Sequence, residues 1–174
     1  MKKILIVVDM QNDFIDGALG TPEAVAIIPN VINKIEGFDG EIIATLDTHF
    51  VDYLDSMEGK KIPITHCVRG TEGWQIQKDV KEALEKKNYL SLEKSTFCGI
   101  DLPDMVYELL GDEDLSIELV GLCTDISVVS NALILKAFYP ESDITVDSSC
   151  CAGMTPELHK AALATIQSCL IDVN

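Results

Sequence analysis

Several side chains suited to chemistry stand where short apolar runs of this chain end. Ile4-Leu5-Ile6-Val7-Val8 stops at Asp9, Tyr89-Leu90-Ser91-Leu92-Glu93 leads to Lys94, and Ile117-Glu118-Leu119-Val120 runs into Gly121-Leu122-Cys123-Thr124-Asp125-Ile126-Ser127. Open α/β sheets bind ligands at the carboxyl ends of their strands. A carboxylate, an amine and a nucleophile-type turn placed there suggest a hydrolase site assembled from distant parts of the chain. An acid that closes a buried strand needs a partner to remain ionised, and Lys94 can be that partner for Asp9. Gly121 permits a sharp exit from its strand, while Thr124 and Asp125 suit the start of a helix. A side chain at 127 then lies in that helix's first turn, near its positive end, where a thiolate would be favoured and backbone N–H groups could hold an oxyanion. The pattern leads to an expectation of cysteine, yet the residue is Ser127.

A second group has the character of a metal site. In Thr45-Leu46-Asp47-Thr48-His49 the residues 47 and 49 alternate onto one face of a strand end, and His66 follows in Pro63-Ile64-Thr65-His66-Cys67-Val68-Arg69-Gly70-Thr71. One carboxylate and two imidazoles leave coordination positions open for water or substrate. Glu58 and Asp55, in the intervening loop, are candidate fourth ligands. The third histidine, His159, is expected on a polar helix face in contact with solvent. Asn12 and Asp13 can serve as turn caps. The first strand is not followed by a glycine-rich turn, and no phosphate-binding G-x-x-x-x-G-K-[ST] motif occurs, which argues against dinucleotide and P-loop nucleotide binding.

The elements that must position these groups alternate in type. Runs rich in Val, Ile and Leu predict strands near 3–9, 41–47, 88–93, 115–121, 143–147 and 168–173. Helical patterns predict helices near 23–36, 75–86, 101–110, 125–138 and 155–167. Such alternation is the signature of βα units around a parallel sheet. Continuous apolar character places the first and fourth strands at its centre. Thr155-Pro156-Glu157 reads as an N-cap, a first-turn proline and a dipole-matched acid. Residues 48–74 lack a clear period, and a loop that long within a compact domain is usually functional or disordered. With no repeat or linker in the sequence, 1–174 is expected to be one domain.

Composition narrows the partners. Acidic residues outnumber basic ones 29 to 13, for a net charge of −16. That field repels phosphate backbones and anionic membranes, so neither nucleic acid nor a membrane surface is an expected partner. The apolar run before Asp9 is too short for a signal-peptide core or a bilayer span. The six cysteines (Cys67, Cys98, Cys123, Cys150, Cys151 and Cys169) include no C-x-x-C spacing, which favours a reduced, cytoplasmic protein.

Together, Val8-Asp9-Met10-Gln11-Asn12-Asp13-Phe14, Asp47-Thr48-His49, His66-Cys67-Val68-Arg69-Gly70-Thr71, Lys94-Ser95-Thr96-Phe97 and Gly121-Leu122-Cys123-Thr124-Asp125 resemble the cysteine hydrolase superfamily of nicotinamidases and isochorismatase-like proteins. The resemblance spans nearly the whole chain. It implies a three-layer α-β-α, Rossmann-like isochorismatase fold with a six-stranded, mostly parallel sheet. It also implies a triad of Asp9 as proton acceptor, Lys94 as its cationic partner and the nucleophile at 127. The implied oxyanion hole uses the backbone N–H groups of Cys123 and Ser127, with a cis peptide at Leu122–Cys123. A divalent ion, zinc first and manganese or iron next, would be held by Asp47, His49 and His66 with a fourth ligand such as Glu58, and would bind a pyridine nitrogen. Phe14 and Trp74 would wall an aromatic ring. The substrate class implied is a small amide such as nicotinamide, and homo-oligomers are common in the superfamily.

The serine complicates that reading. A hydroxyl ionises far less readily than a thiol, and the expected loss is several powers of ten in rate, on the order of 4 kcal/mol or more in barrier. Three explanations are open: a substitution made to trap ligand, a non-hydrolysing relative, or chemistry that needs no nucleophile. The presence of every other part of the site favours the first. Two alternatives to an amidase follow: vinyl-ether hydrolysis of the isochorismatase type, and a metabolite-binding relative without turnover.

Overall fold

A computed structural model describes residues 1–111 and 114–174. Six strands form one sheet in the order β3-β2-β1-β4-β5-β6: β1 Lys2–Val8, β2 Glu41–Asp47, β3 Leu90–Lys94, β4 Leu115–Leu122, β5 Asp143–Ala152 and β6 Asp172–Val173. Every adjacent pair is parallel. The expected α/β architecture is borne out, with β1 and β4 at the centre. Successive crossovers run to one edge from β1 and to the other from β4, so right-handed connections put the helices on opposite faces. Alternation along β1 records this division. Leu5 and Val7 pack into a core with Val31 and Ile35 of α3 (Ile28–Gly37) and Val80 and Leu84 of α5 (Lys78–Glu85). Ile4, Ile6 and Val8 face a second core with α6 (Leu102–Leu110), α7 (Val129–Phe138) and α8 (Pro156–Ser168).

The differences from the expected elements have local causes. The helix expected over 23–36 is two pieces, α2 (Pro22–Ala26) and α3, because the ring of Pro29 carries no N–H to continue the first helix. The stretch 48–74 contains a 3-10 turn at Tyr53–Asp55 and a short helix, α4 (Met57–Lys61), capped by the Ser56 hydroxyl. A further turn of helix, α1 (Asn12–Ile15), follows β1. The strand expected over 168–173 reduces to β6, since α8 runs on to Ser168 and Leu170 adopts φ 61. The helix expected from 125 begins as a π-helical turn, Thr124–Val128, before α7. Among the described residues no helix is long and apolar enough to cross a membrane.

Two crossover helices cannot cover one whole face. Beside α3 the β4–β5 surface is therefore polar, and Lys34 of α3 bridges it, 2.6 Å from Glu118 Oε1 and 2.8 Å from Asp147 Oδ2. Burial works against the Lys34 ammonium, but the two carboxylates outweigh it and raise its pKa. Burial likewise opposes ionisation of Asp147, yet Lys34 and Ser149 hold its pKa below the ordinary 3.8. A depressed acid contributes stability above its unfolded value and loses it as pH falls. A raised amine contributes until pH rises past its ordinary 10.5. Lys34→Met should therefore cost about 1–2 kcal/mol at neutral pH, modest because all three groups keep some solvent contact. Urea melts at several pH values should show the deficit shrinking below pH 3.8; a deficit independent of pH would contradict the ion-pair account.

Candidate active site

The carboxyl ends of β1, β2, β3 and β4 meet where the strand order reverses, the position at which open α/β sheets form their clefts. Register supplies the alignment: Asp47 pairs with Lys94, and Val8 lies between Thr45 and Gly121. Gly121 is required at this crossing. It adopts φ 117, and a β-carbon there would stand 2.1 Å from the Val8 carbonyl oxygen.

Asp9 follows β1 with φ 46, a left-handed conformation that residues other than glycine rarely adopt. Its backbone N–H donates to the Thr45 carbonyl, and the Thr45 hydroxyl donates to Oδ1 at 2.6 Å. Lys94 Nζ stands 2.7 Å from Asp9 Oδ2, 3.5 Å from Asp47 Oδ1 and 3.4 Å from Ser127 Oγ. The three groups named from the sequence are brought together, all buried. Apart from the ammonium, Asp9 Oδ2 has no hydrogen-bond partner among the described residues. Complete burial raises the Asp9 pKa against the pull of Lys94, and the Asp47 charge pushes the same way. Burial alone would lower Lys94, but Asp9 and Asp47 raise it, so it stays an ammonium.

Asp47, His49 and His66 are likewise gathered, with one ligand atom from each within 4.8 Å of the others. His49 Nε2 lies 3.0 Å from Asp47 Oδ2 and 3.5 Å from Glu58 Oε1; His66 Nε2 lies 3.5 and 3.8 Å from the same two oxygens. His49 Nε2 is buried and close to Asp47 but lacks hydrogen-bond geometry to any partner among the described residues. Two imidazole nitrogens and two carboxylates are thus gathered in one small volume. Such a donor set fits a divalent cation of the borderline type. His66 Nδ1 lies 2.8 Å from the Ile64 carbonyl oxygen, which directs Nε2 inward. Desolvation opposes ionisation of Asp47, but the two imidazoles and Lys94 hold its pKa well below the carboxylate range. Of the two acidic fourth-ligand candidates, Glu58 of α4 is the one within reach of both imidazoles; Asp55 ends the preceding 3-10 turn.

Phe14 packs edge-on against the His66 ring with centroids 5.5 Å apart, and Trp74 Nε1 donates to Thr48 Oγ1 at 3.0 Å. The Leu122–Cys123 peptide is cis, and Ser127 sits in the π-helical turn beyond it. Cys123 is buried, its thiol pKa raised by that burial, with Sγ 3.6 Å from Met154 Sδ. His159 departs from expectation. It keeps some solvent contact but is half-buried, with Nδ1 2.8 Å from the Thr124 hydroxyl.

Supporting residues for which the sequence suggested no role in the site complete it. Gln11 is fully buried: Nε2 donates to the carbonyls of Asp47 and Trp74, and Oε1 accepts from the Asp47 N–H at 2.7 Å. Asn131 Nδ2 donates to the Ser127 carbonyl and Oδ1 accepts from the Gly99 N–H, joining α7 to the loop beyond Lys94. Asp13 Oδ2 accepts from the Cys67 N–H at 2.8 Å and pins the His66 segment. Gln11 lies two places beyond Asp9, while Asp13 and Asn131 lie four places beyond Asp9 and Ser127, and each acts through a partner distant in the chain.

The parallel α/β fold and a buried carboxylate–ammonium–hydroxyl cluster beside a donor set that fits a cation define the class of the site, and the comparisons agree with it. The Isochorismatase domain profile matches residues 3–173, and the chain belongs to that family. A curated relative from Bacillus subtilis, the uncharacterized isochorismatase family protein PncA, is 28% identical and aligns over 94% of this chain and 93% of its own. The crystal structure of nicotinamidase/pyrazinamidase PncA from Bacillus subtilis superposes with a TM-score of 0.84 at 27% identity, covering 99% of both chains. The pyrazinamidase of Pyrococcus horikoshii in complex with zinc superposes with a TM-score of 0.84 at 26% identity, covering 100% of this chain and 99% of that one.

Gln11→Leu offers a direct check of the scaffold. It leaves the N–H and carbonyl of Asp47 without their partner, and burying both unpaired should cost about 2–4 kcal/mol. Denaturant melts read that loss, and a cost below about 1 kcal/mol would mean that water replaces the amide.

Proposed function

We propose that this protein is an amidohydrolase that cleaves a nicotinamide-like aromatic amide to the carboxylic acid and ammonia, with residue 127 as acyl acceptor. The observation that carries the reading is the line Asp9–Lys94–Ser127, with 2.7 and 3.4 Å separations, beside the Asp47–His49–His66 donors. Similarity to nicotinamidase/pyrazinamidase structures supports the substrate class.

In this reading the substrate carbonyl lies over the turn 123–127, its oxygen toward the backbone N–H groups of Cys123 and Ser127. Ser127 Oγ attacks the carbonyl carbon and its proton passes to Asp9, whose raised pKa suits an acceptor. Asp9 returns the proton to the departing nitrogen, and ammonia leaves. Water, deprotonated by Asp9, then attacks the ester, and Asp9 passes that proton to the departing Ser127 Oγ as the acid is freed. Lys94 stays protonated throughout and stabilises the carboxylate it faces. Asp47, His49, His66 and Glu58 would hold a divalent ion, zinc first and manganese or iron next. That ion would supply a Lewis-acid point for a ring nitrogen. Phe14 and Trp74 flank the donors as walls for a flat ring. Cys123 does not substitute as nucleophile, since its buried thiol resists ionisation.

Serine makes this form slow, and it is also the observation that favours a second reading, acid–base hydrolysis of a vinyl ether without a covalent intermediate. Ammonia release from nicotinamide separates the two. Ser127→Cys should raise the rate by about 10³-fold or more, and dialysis against a chelator should abolish it, with zinc restoring activity. Pyruvate release from isochorismate with no amide turnover by either protein would instead decide for the vinyl-ether reaction.

A further inference from the structure

The junction between β5 and α8 grips the far side of the turn that carries Ser127. β4 and β5 remain paired as far as Leu122 and Ala152, so both chains leave the sheet side by side. Each of the next three residues of the turn is then tied to that junction. Cys123 Sγ touches Met154 Sδ at 3.6 Å, Asp125 Oδ1 accepts from the Met154 N–H at 2.9 Å, and Thr124 Oγ1 is hydrogen-bonded to His159 Nδ1 at 2.8 Å. The approach is so close that a β-carbon at Gly153 would stand 2.7 Å from Asp125 Oδ1 and 2.8 Å from His159 N. α8 is itself fixed at its start by the Thr155 hydroxyl, which accepts from the Leu158 N–H.

Why such a grip is needed follows from the turn's form. Thr124–Val128 is π-helical, a wider turn with i→i+5 bonding that a chain rarely adopts unaided and that outside contacts must select. Asn131 holds it from the α7 side through the Ser127 carbonyl. On the opposite side Thr124 is fully buried, and its hydroxyl has no second hydrogen-bond partner among the described residues. Burial lowers the His159 pKa, against the Asp125 carboxylate and together with the Lys160 charge, so the ring is neutral near pH 7. A neutral imidazole and a buried hydroxyl satisfy each other without adding a charge behind the site.

We propose that His159 is a positioning residue: by holding the Thr124 hydroxyl it fixes the form of the turn and hence the place of the residue-127 side chain beside Lys94. Reactive groups displaced by a fraction of an ångström lose much of their advantage, so an effect on rate is expected without contact to substrate. The proposal rests on the reading of residue 127 as the acyl-accepting position.

Its test reads that position without substrate. In a Ser127→Cys background, iodoacetamide alkylation of residue 127, followed by peptide mass spectrometry, should slow roughly tenfold on His159→Leu. The pH at which that thiolate forms should also rise. His159→Asn, whose amide can meet the hydroxyl where Nδ1 does, should restore most of the rate. Thr124→Val should reproduce the loss, and combining it with His159→Leu should add little more. On an amide substrate kcat should fall with KM altered less than about twofold. Unchanged alkylation in His159→Leu, or additive losses in the double variant, would overturn the proposal. So would a loss that follows only the melting temperature and is not relieved by His159→Asn. Failure to find any amide turnover would count against the amidase reading alone, since alkylation needs no substrate.

Discussion

One buried ammonium holds this site together. Lys94 Nζ, its side chain 2% exposed, lies between the carboxylates of Asp9 and Asp47. A carboxylate taken wholly out of water is strongly disfavoured unless a charge or hydrogen bonds compensate it, and here one cation serves two anions. The compensation is unequal. Asp47 also faces two imidazoles and its pKa falls; Asp9 has Lys94 and one threonine hydroxyl, and desolvation wins. Two acids in one cleft are thereby driven apart, one suited to exchanging a proton and one to remaining an anion beside a cation. Such separation is how a pair of like groups acquires different roles.

The same constraint explains why the groups sit on strand ends. Charges separated by 2.7 to 3.5 Å out of water tolerate little drift, and adjacent parallel strands fix their ends through the ladder of backbone bonds. Pairing of Asp47 with Lys94, and of Val8 with Thr45, sets three of the relevant side chains before any loop is considered. Loops then supply what register cannot. Asp9 and Cys67 both adopt positive φ, at 46 and 45, where the chain turns to aim Asp9 and to bring the His66 segment under Asp13. Backbone strain of this kind persists only where the surroundings hold it, and here Thr45 and Asp13 do so.

The division between what could and could not be read from the sequence follows interaction range. Largely apolar runs announced β1, β2 and β4, and the residues that ended them announced Asp9, Asp47 and the 121–127 turn, because these signals lie within one short window. Asp47 and His49 shared a face by simple alternation. Gln11, Thr45 and Asn131 gave no such signal, since their partners lie 36 and 32 residues away for the Asp47, Asp9 and Gly99 contacts. The choice of Glu58 over Asp55 depended on a helix of five residues, α4, with no readable period. His159 misled for the same reason: its helix face looked polar, and nothing local showed that the buried turn of another element lay against it.

The serine is best understood through its neighbours' hydrogen-bonding capacity. Lys94 can donate to Ser127 Oγ at 3.4 Å, which occupies a lone pair and leaves the hydroxyl's own proton to be directed elsewhere. Asp9 Oδ2 is the buried oxygen nearby whose capacity is not filled by a hydrogen bond. In the proposed reaction the proton therefore has a destination, and the ammonium that makes Asp9 tolerable in the interior also lies beside the oxygen that would become anionic. What the hydroxyl lacks is acidity, not placement. A thiol would ionise under the same ammonium, whereas an alkoxide would have to form only as the carbonyl is attacked. In the proposed reaction the cost of serine would fall on the chemical step, while binding and orientation would remain with the donors at Asp47, His49 and His66.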